Sequence, residues 1–192
     1  MTYAELEPKK VFEYFRKISD IPRGSGNEAA AAEYVRSTAV SLGREASIDG
    51  AGNVLVRAKA TPGYENHAPL MLQGHLDMVC EANRGVKHDF LTDPIEFVLN
   101  GDLLTANGTT LGADDGTAVA IMLAILDSDL PHPELECLFT TEEETGLSGM
   151  RGFDASVLKS SRLVNLDSEG EYEATVSCAG GVRSHIFYYS DK

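Results

Sequence analysis

Apolar residues recur along this chain with two periods, and the switching between them predicts its elements. Val11, Phe12, Phe15 and Ile18 follow helical spacing, and Pro22 closes that segment. A second helix is predicted from about Asn27, a candidate N-cap, through EAAAAEYVRSTAVSL to Gly43, a candidate C′ residue. Strand-like runs follow at 53–58 (NVLVRA) and 68–77 (APLMLQGHLD). IEFVL-NG-DLLTA reads as a hairpin, because Asn100-Gly101 suits a type I′ turn. GTTLGADDG is a glycine-rich loop feeding TAVAIMLAILDS, whose length favours a buried helix over a strand. ELECLFT at 134–140 and SRLVNLD at 161–167 read as buried strands, and EYEATVSC and GVRSHIFYY as further strands. Strands alternating with helices predict an α/β domain, a mostly parallel central sheet flanked by helices. In such sheets ligands gather at the carboxyl ends of the strands.

Composition narrows this picture. A length of 192 residues suffices for one sizeable core, and 43% hydrophobic with 24% charged residues is ordinary for a soluble globular protein. No apolar run approaches a membrane span, and MTYAELEPKK lacks the features of a signal peptide, so the expected location is the cytoplasm. Cys80, Cys137 and Cys178 are an odd, widely spaced set, expected to be buried thiols rather than a disulfide framework or zinc knuckle. A formal charge of −14, from 30 acids against 16 bases, argues against nucleic acid or an anionic membrane as partner.

The position of some acids changes the picture further. GHLD (His75, Asp77), GADDG (Asp114, Asp115), TEEETG (Glu142, Glu143, Glu144) and NLDSE (Asp167, Glu169) each stand where an apolar run ends or begins. Taken singly, each has an ordinary reading: a core histidine, a turn, a solvated turn, a strand end with a helix cap. Taken together, the sheet model brings all four to one rim. Two carboxylates about 4 Å apart repel by roughly 4 kcal/mol at an effective dielectric of 20. Such a cluster either holds its protons or holds a cation. Histidine with carboxylates suits zinc and related transition metals. In His75-Leu76-Asp77, strand alternation puts both polar side chains on one face, so Asp77 can orient the imidazole. The same alternation would group Glu142 with Glu144 and turn Glu143 away. Histidines 67, 88, 132 and 185 have no such context. The chain has no G-x-S-x-G elbow, no H-E-x-x-H signature and no phosphate loop.

With these residues in view, the sequence resembles the di-zinc exopeptidases related to aminoacylase and carboxypeptidase G. It resembles most the aminoacyl-histidine dipeptidase (Xaa-His dipeptidase, carnosinase-like) branch. The resemblance runs through essentially the whole chain and is carried by LQGHLDMV, HDFLTDPI, GTTLGADDG, TTEEETG, LVNLDSE and SCAGG, in that order. It implies metal-dependent hydrolysis of small peptide substrates, Xaa-His dipeptides first, by a water bridging two divalent ions. Zinc is the first expectation, with cobalt or manganese also suited. It further implies that His75 is a metal ligand, with Asp77 holding its ring, and that Asp114 bridges the two ions. Aligned on Gly146, Glu143 is then the general base and Glu144 a ligand of the second ion. Asp167 completes the first ion's protein ligands. The resemblance also implies a last histidine ligand in a longer chain, and a lid or dimerisation domain beginning near GVRSHIFYYSDK. The expectation is therefore that residues 1–180 are the N-terminal portion of a catalytic domain, and that 181–192 start the connection into the second domain. On this reading the isolated chain is inactive, and a homodimer would form through the second domain. Alternatives are a related di-zinc amidohydrolase or tripeptidase, and a non-catalytic acidic cation-binding module.

Overall fold

Three strands, β3 (Leu70–His75), β6 (Leu135–Thr140) and β7 (Leu163–Asn165), run parallel at one side of a five-stranded sheet. The order is β1-β2-β6-β3-β7, with β1 (Glu45–Ile48) and β2 (Val54–Ala58) antiparallel to their neighbours. The sheet is therefore mixed, with parallel central strands. A computed structural model describes residues 2–168, 170, 172–177, 180, 184 and 186–189. Glu169, Cys178 and His185, much of the SCAGG stretch and most of 181–192 lie outside the described residues.

Side-chain alternation divides the sheet into two faces even where every residue of a strand is buried. Val54, Val56 and Ala58 of β2, Leu72 of β3, and Leu135, Cys137 and Phe139 of β6 join one core. That core is completed by α1 (Lys9–Ser19), α2 (Ala29–Ser41) and α3 (Ala113–Leu126). The intervening positions Leu55, Met71 and Leu138 face the other way, against Met150, Phe153 and Leu158 of a segment built of short 3-10 turns. Each helix contributes the stripe its spacing predicts: Phe15 and Ile18 from α1, and Ala31, Val35 and Ala39 from α2. In α3 apolar residues occur on nearly all sides, and the helix is correspondingly buried against α1 and β3.

Several boundaries differ from expectation for identifiable reasons. The N-cap of α2 is Glu28 rather than Asn27, and its carboxylate makes no capping bond because it reaches across to the Glu142 amide. Gly43 does close α2 in the left-handed region (φ 73°), with the Arg44 amide bonded back to the Ala39 carbonyl. The hairpin of β4 (Phe97–Asn100) and β5 (Leu103–Ala106) turns one residue later than expected. Asn100 pairs with Leu103, so the loop is Gly101-Asp102, with Gly101 at φ 67° in the first central position. That geometry belongs to a glycine-first II′ loop rather than an Asn-Gly I′ loop. Among the described residues β7 is an exposed edge strand instead of a buried one, with β3 as its one sheet neighbour there. The described residues of EYEATVSC and GVRSHIFYY form no strand, having no sheet neighbour among the described residues. Cys137 is buried and unpaired as expected, and burial pushes its thiol up to about 12, whereas Cys80 is exposed.

Phe139 is fully enclosed in the larger core. Phe139→Ala is expected to lower unfolding free energy by about 3–5 kcal/mol, read from the shift in urea midpoint at unchanged slope. A loss below about 1 kcal/mol would show that the helical layer does not pack on β6 as described.

Candidate metal centre at the parallel strand ends

Parallel pairing places the carboxyl ends of β3, β6 and β7 side by side. His75 is in register with Thr140, and Gln73 with Asn165. The ladder continues past the strands, through the Leu76 amide to the Thr140 carbonyl (2.7 Å) and the Leu166 amide to the Gln73 carbonyl (2.9 Å). Residues a few positions beyond each strand are thereby held at one rim, and Asp77, Glu143, Glu144 and Asp167 are such residues.

The fourth contribution comes from the start of α3. Gly74 lets this helix approach β3: a Cβ there would lie 2.5 Å from Asp115 Oδ2 and 2.7 Å from the Ala118 Cβ. The close approach allows the His75 amide to donate to Asp115 Oδ2 at 3.0 Å. Asp114, beside it across a cis peptide bond, points outward to the rim, where its Oδ1 lies 3.0 Å from His75 Nε2. Neither aspartate has helical backbone angles, and regular helix begins after them.

His75 is therefore gripped from two sides. Its Nδ1 faces the Asp77 carbonyl at 3.0 Å and the Asp77 carboxylate at 3.3 Å. Its Nε2 faces Asp114 and, at 3.7 Å, Asp167. Asp77 is wholly buried, and its carboxylate accepts from Ser25 Oγ (2.8 Å), the Glu143 amide (3.0 Å) and the Glu144 amide (3.2 Å). One carboxylate thus orients the imidazole and fixes the backbone that carries the two glutamates. Glu142 occupies the bend itself, with φ 51°; its amide donates to Glu28, and its carboxylate accepts from Ser148.

The charges follow from these contacts. Burial opposes the charge of Asp77, but hydrogen bonds from His75, Ser25 and the Glu143 amide outweigh it and hold the group down to about 2. Burial likewise opposes protonation of His75, but Asp77, Asp115 and Asp167 together raise it to about 9. Burial raises Asp115 to about 7. Burial, with the nearby negative charge of Asp114 and Glu143, raises Asp167 to about 6. Glu144 is raised by burial and by Asp114. The cluster is short of positive charge, which the imidazolium of His75 and the buried guanidinium of Arg23 supply in part.

Two groups of donors lie close enough to share an ion: His75, Glu143 and Asp167, and His75, Asp114 and Glu144. Within each, the ligand atoms lie within 4.8 Å of one another. All the residues singled out from the four acidic stretches and falling within the described residues come to this rim, except that Asp115 turns inward and Glu142 forms the bend. His67, His88 and His132 lie elsewhere, against Tyr64, Phe90 and Pro133 respectively. In RGSGNE at 23–28, the gap before the second predicted helix and the start of that helix, Arg23 donates to the Leu76 and Asp77 carbonyls, Ser25 donates to the Asp77 carboxylate, and Glu28 accepts from the Glu142 amide. No periodic or motif signal marks these residues in the sequence.

No protein-family model matches the chain. It is 42% identical to the cytosol non-specific dipeptidase of Escherichia coli (strain K12) over 180 residues, 93% of this chain and 37% of that protein. The crystal structure of aminoacylhistidine dipeptidase from Vibrio alginolyticus superposes with a TM-score of 0.86 at 41% identity, over 89% of this chain and 35% of the other. A tripeptidase from Staphylococcus aureus shares the fold, with a TM-score of 0.71 at 22% identity, over 84% of this chain and 44% of the other. The chain thus spans little more than a third of the dipeptidases it matches at about 40% identity.

A carboxyl that binds its proton more tightly when folded stabilises the fold most below its ordinary pKa, and loses that contribution as pH rises. For Asp115 the loss runs from its ordinary 3.8 up through about 7, and for His75 from 6.5 up through about 9. The Asp77 contribution has the opposite sense, present above 3.8 and lost as pH falls through about 2. Without added metal, Tm is expected to fall as pH rises from 5 to 8. Asp115→Asn, which keeps an acceptor for the His75 amide, should flatten that decline. An unchanged slope in the variant would rule out the Asp115 carboxyl as its source.

Proposed function

We propose, from the premise that the chain belongs to the family of the cytosol non-specific and aminoacylhistidine dipeptidases, that its acidic rim is its share of a metallopeptidase centre that hydrolyses dipeptides. The observation that carries this reading is the convergence of one imidazole and four carboxylates, from four separate stretches, into two overlapping donor groups. Mixed imidazole and carboxylate donors suit zinc first, and cobalt or manganese also. The upward shifts of Asp167 and Glu144 are what such a set shows when protons must stand in for a cation.

In this reading His75, Asp114 and Asp167 would hold one ion, and Asp114 and Glu144 would hold the other. Bound divalent ions would supply Lewis-acid polarisation of the scissile carbonyl and of water. Asp77 keeps the His75 ring oriented with Nε2 toward the rim. Glu143 accepts the proton of the attacking water and returns it to the leaving amine. Glu144 is poorly suited to that task, because a carboxylate bound to a cation is a much weaker base. A cleft of about 410 Å3 opens beside Glu144 and Thr145, walled by Met78, Cys80, Phe90 and Leu91. It has room for one side chain of a short peptide. We extend to this chain the Xaa-His preference in the name of the Vibrio relative, and the cytosolic setting in the name of the Escherichia coli one. No helix among the described residues is long and apolar enough to cross a membrane.

In this assignment three side chains of this chain would hold the first ion, and only Asp114 and Glu144 the second. The 192-residue chain by itself is therefore expected to bind one zinc ion tightly and a second weakly, without rapid turnover. Calorimetry should give a tight stoichiometry near one, with affinity rising with pH as the His75 proton is displaced. A calcium preference over zinc would instead favour an acidic cation-binding module. In a chain extended to the length of its relatives, Glu143→Ala should cut Xaa-His hydrolysis by about 10²–10⁴ while leaving zinc content intact. Glu144→Ala should lower zinc content. Survival of turnover in the Glu143 variant would overturn the division of roles between the two glutamates.

A further inference from the structure

Arg23 is among the largest fully buried side chains of the molecule, and it forms no ion pair among the described residues. Its two terminal nitrogens are spent on backbone carbonyls, while Nε is buried with no hydrogen-bond partner among the described residues. Nη1 donates to the Leu76 carbonyl at 2.8 Å and the Asp77 carbonyl at 3.0 Å, and Nη2 donates to the Gly112 carbonyl. The first two carbonyls belong to the segment that carries His75 and Asp77. The third lies two residues before Asp114. These segments are far apart in sequence, and each presents part of one donor group.

Space has been left for this side chain. A Cβ at Gly116 would lie 2.5 Å from Arg23 Nη2, and one at Gly112 would lie 2.6 Å from it. Gly112 also stands at φ 72°, where a side chain would be strained. The loop that follows Arg23 continues the same task, with Ser25 on the Asp77 carboxylate and Glu28 on the Glu142 amide. A planar fork with donors at fixed angles can hold two backbone segments at a set separation; a lysine ammonium, a point charge on a flexible stem, cannot.

We propose that Arg23 is a positioning residue that fixes the spacing between His75 and Asp114, and so the geometry of the donor groups, through the backbone carbonyls of Leu76, Asp77 and Gly112. The proposal rests on the metal-centre reading for its consequence, and on the hydrogen bonds alone for its structural part. It has a sign that a charge effect lacks. A buried cation beside an ion site weakens cation binding by repulsion, so removing the charge should strengthen binding if repulsion were its main influence. If Arg23 positions the donors, removing it weakens binding instead.

The test uses the 192-residue chain with cobalt(II) as probe, because its visible d–d bands report coordination geometry without turnover. Arg23→Met is compared with Arg23→Lys and with Arg44→Met. Arg44 makes the same kind of bond at the far end of α3, to the Leu126 carbonyl at 3.0 Å, and serves as the control for lost stability. Arg23→Met is expected to bind cobalt about 10–100-fold more weakly with altered bands, as other supports of metal ligands do. Arg23→Lys should fall between it and the unchanged chain, and Arg44→Met should match the unchanged chain. Amide hydrogen exchange without metal supplies the second readout. Protection should drop in Arg23→Met both at 76–78 and at 115–118, and in Arg23→Lys on one side only. Native cobalt affinity and bands, or tighter binding, in a folded Arg23→Met would overturn the proposal, as would unchanged exchange on either side. If Arg23→Met does not fold, Arg23→Lys decides by the same criteria, with full native exchange and affinity counting against. Failure of the unchanged chain to bind cobalt would sink the metal-centre reading, while the exchange results would still decide the role of Arg23.

Discussion

The parallel register of β6, β3 and β7 is the constraint on which the site depends. In parallel strands the carboxyl ends lie at one edge, so residues that follow different strands become neighbours without any contact in sequence. His75 beside Thr140, and Gln73 beside Asn165, set the positions from which Asp77, Glu143, Glu144 and Asp167 reach inward. The helical layer is what makes this pairing stable. Its apolar stripes cover one face of the sheet, and Gly74 lets α3 settle close enough for Asp115 to bond the His75 amide.

Charge is the second constraint, and it opposes the first. The sheet gathers acids that repel one another, and the molecule offsets that repulsion in two ways. Some acids are satisfied by amides and hydroxyls, of which Asp77 is the clearest, with Ser25 and two backbone amides on one carboxylate. Others keep protons to a higher pH, as Asp115 and Asp167 do, while His75 holds its own. A group satisfied by fixed donors is suited to orienting others. A group that holds its proton to a higher pH is suited to exchanging that proton for a cation. The distinction separates Asp77 from Asp167 by environment, although both are aspartates following parallel strands.

The sequence was most informative where a period was long and a motif compact. The helical stripes, the strands at 54–58, 70–75 and 135–140, and the clustering of acids at their ends follow from spacing alone. Three kinds of feature were not legible. Turn register depends on which residue takes the positive φ, so the hairpin loop fell at Gly101-Asp102. Burial of a strand depends on its neighbours, so β7, with the same apolar pattern as the others, is an exposed edge. Support of the rim depends on contacts that span the whole fold. Arg23 and Glu28 carry no periodic signal, and their partners lie about 50 to 115 residues away. Glu28 also stands at the N-cap position expected of Asn27, and makes no capping bond there because its carboxylate is committed to the Glu142 amide.

The three consecutive glutamates show why local periodicity fails at such a place. Extended alternation would have set Glu142 and Glu144 on one side and Glu143 on the other. The chain instead bends at Glu142, which takes a left-handed conformation held by Glu28 at its amide and Ser148 at its carboxylate. The bend turns the next two amides toward Asp77, and both bind the same carboxylate. Adjacent side chains are then delivered to adjacent donor groups, Glu143 with His75 and Asp167, and Glu144 with His75 and Asp114. Glu142 belongs to neither donor group, yet it is not an idle charge. It is the residue whose backbone converts an alternating strand end into a pair of neighbouring carboxylates, with its amide donating to Glu28 and its own carboxylate accepting from Ser148.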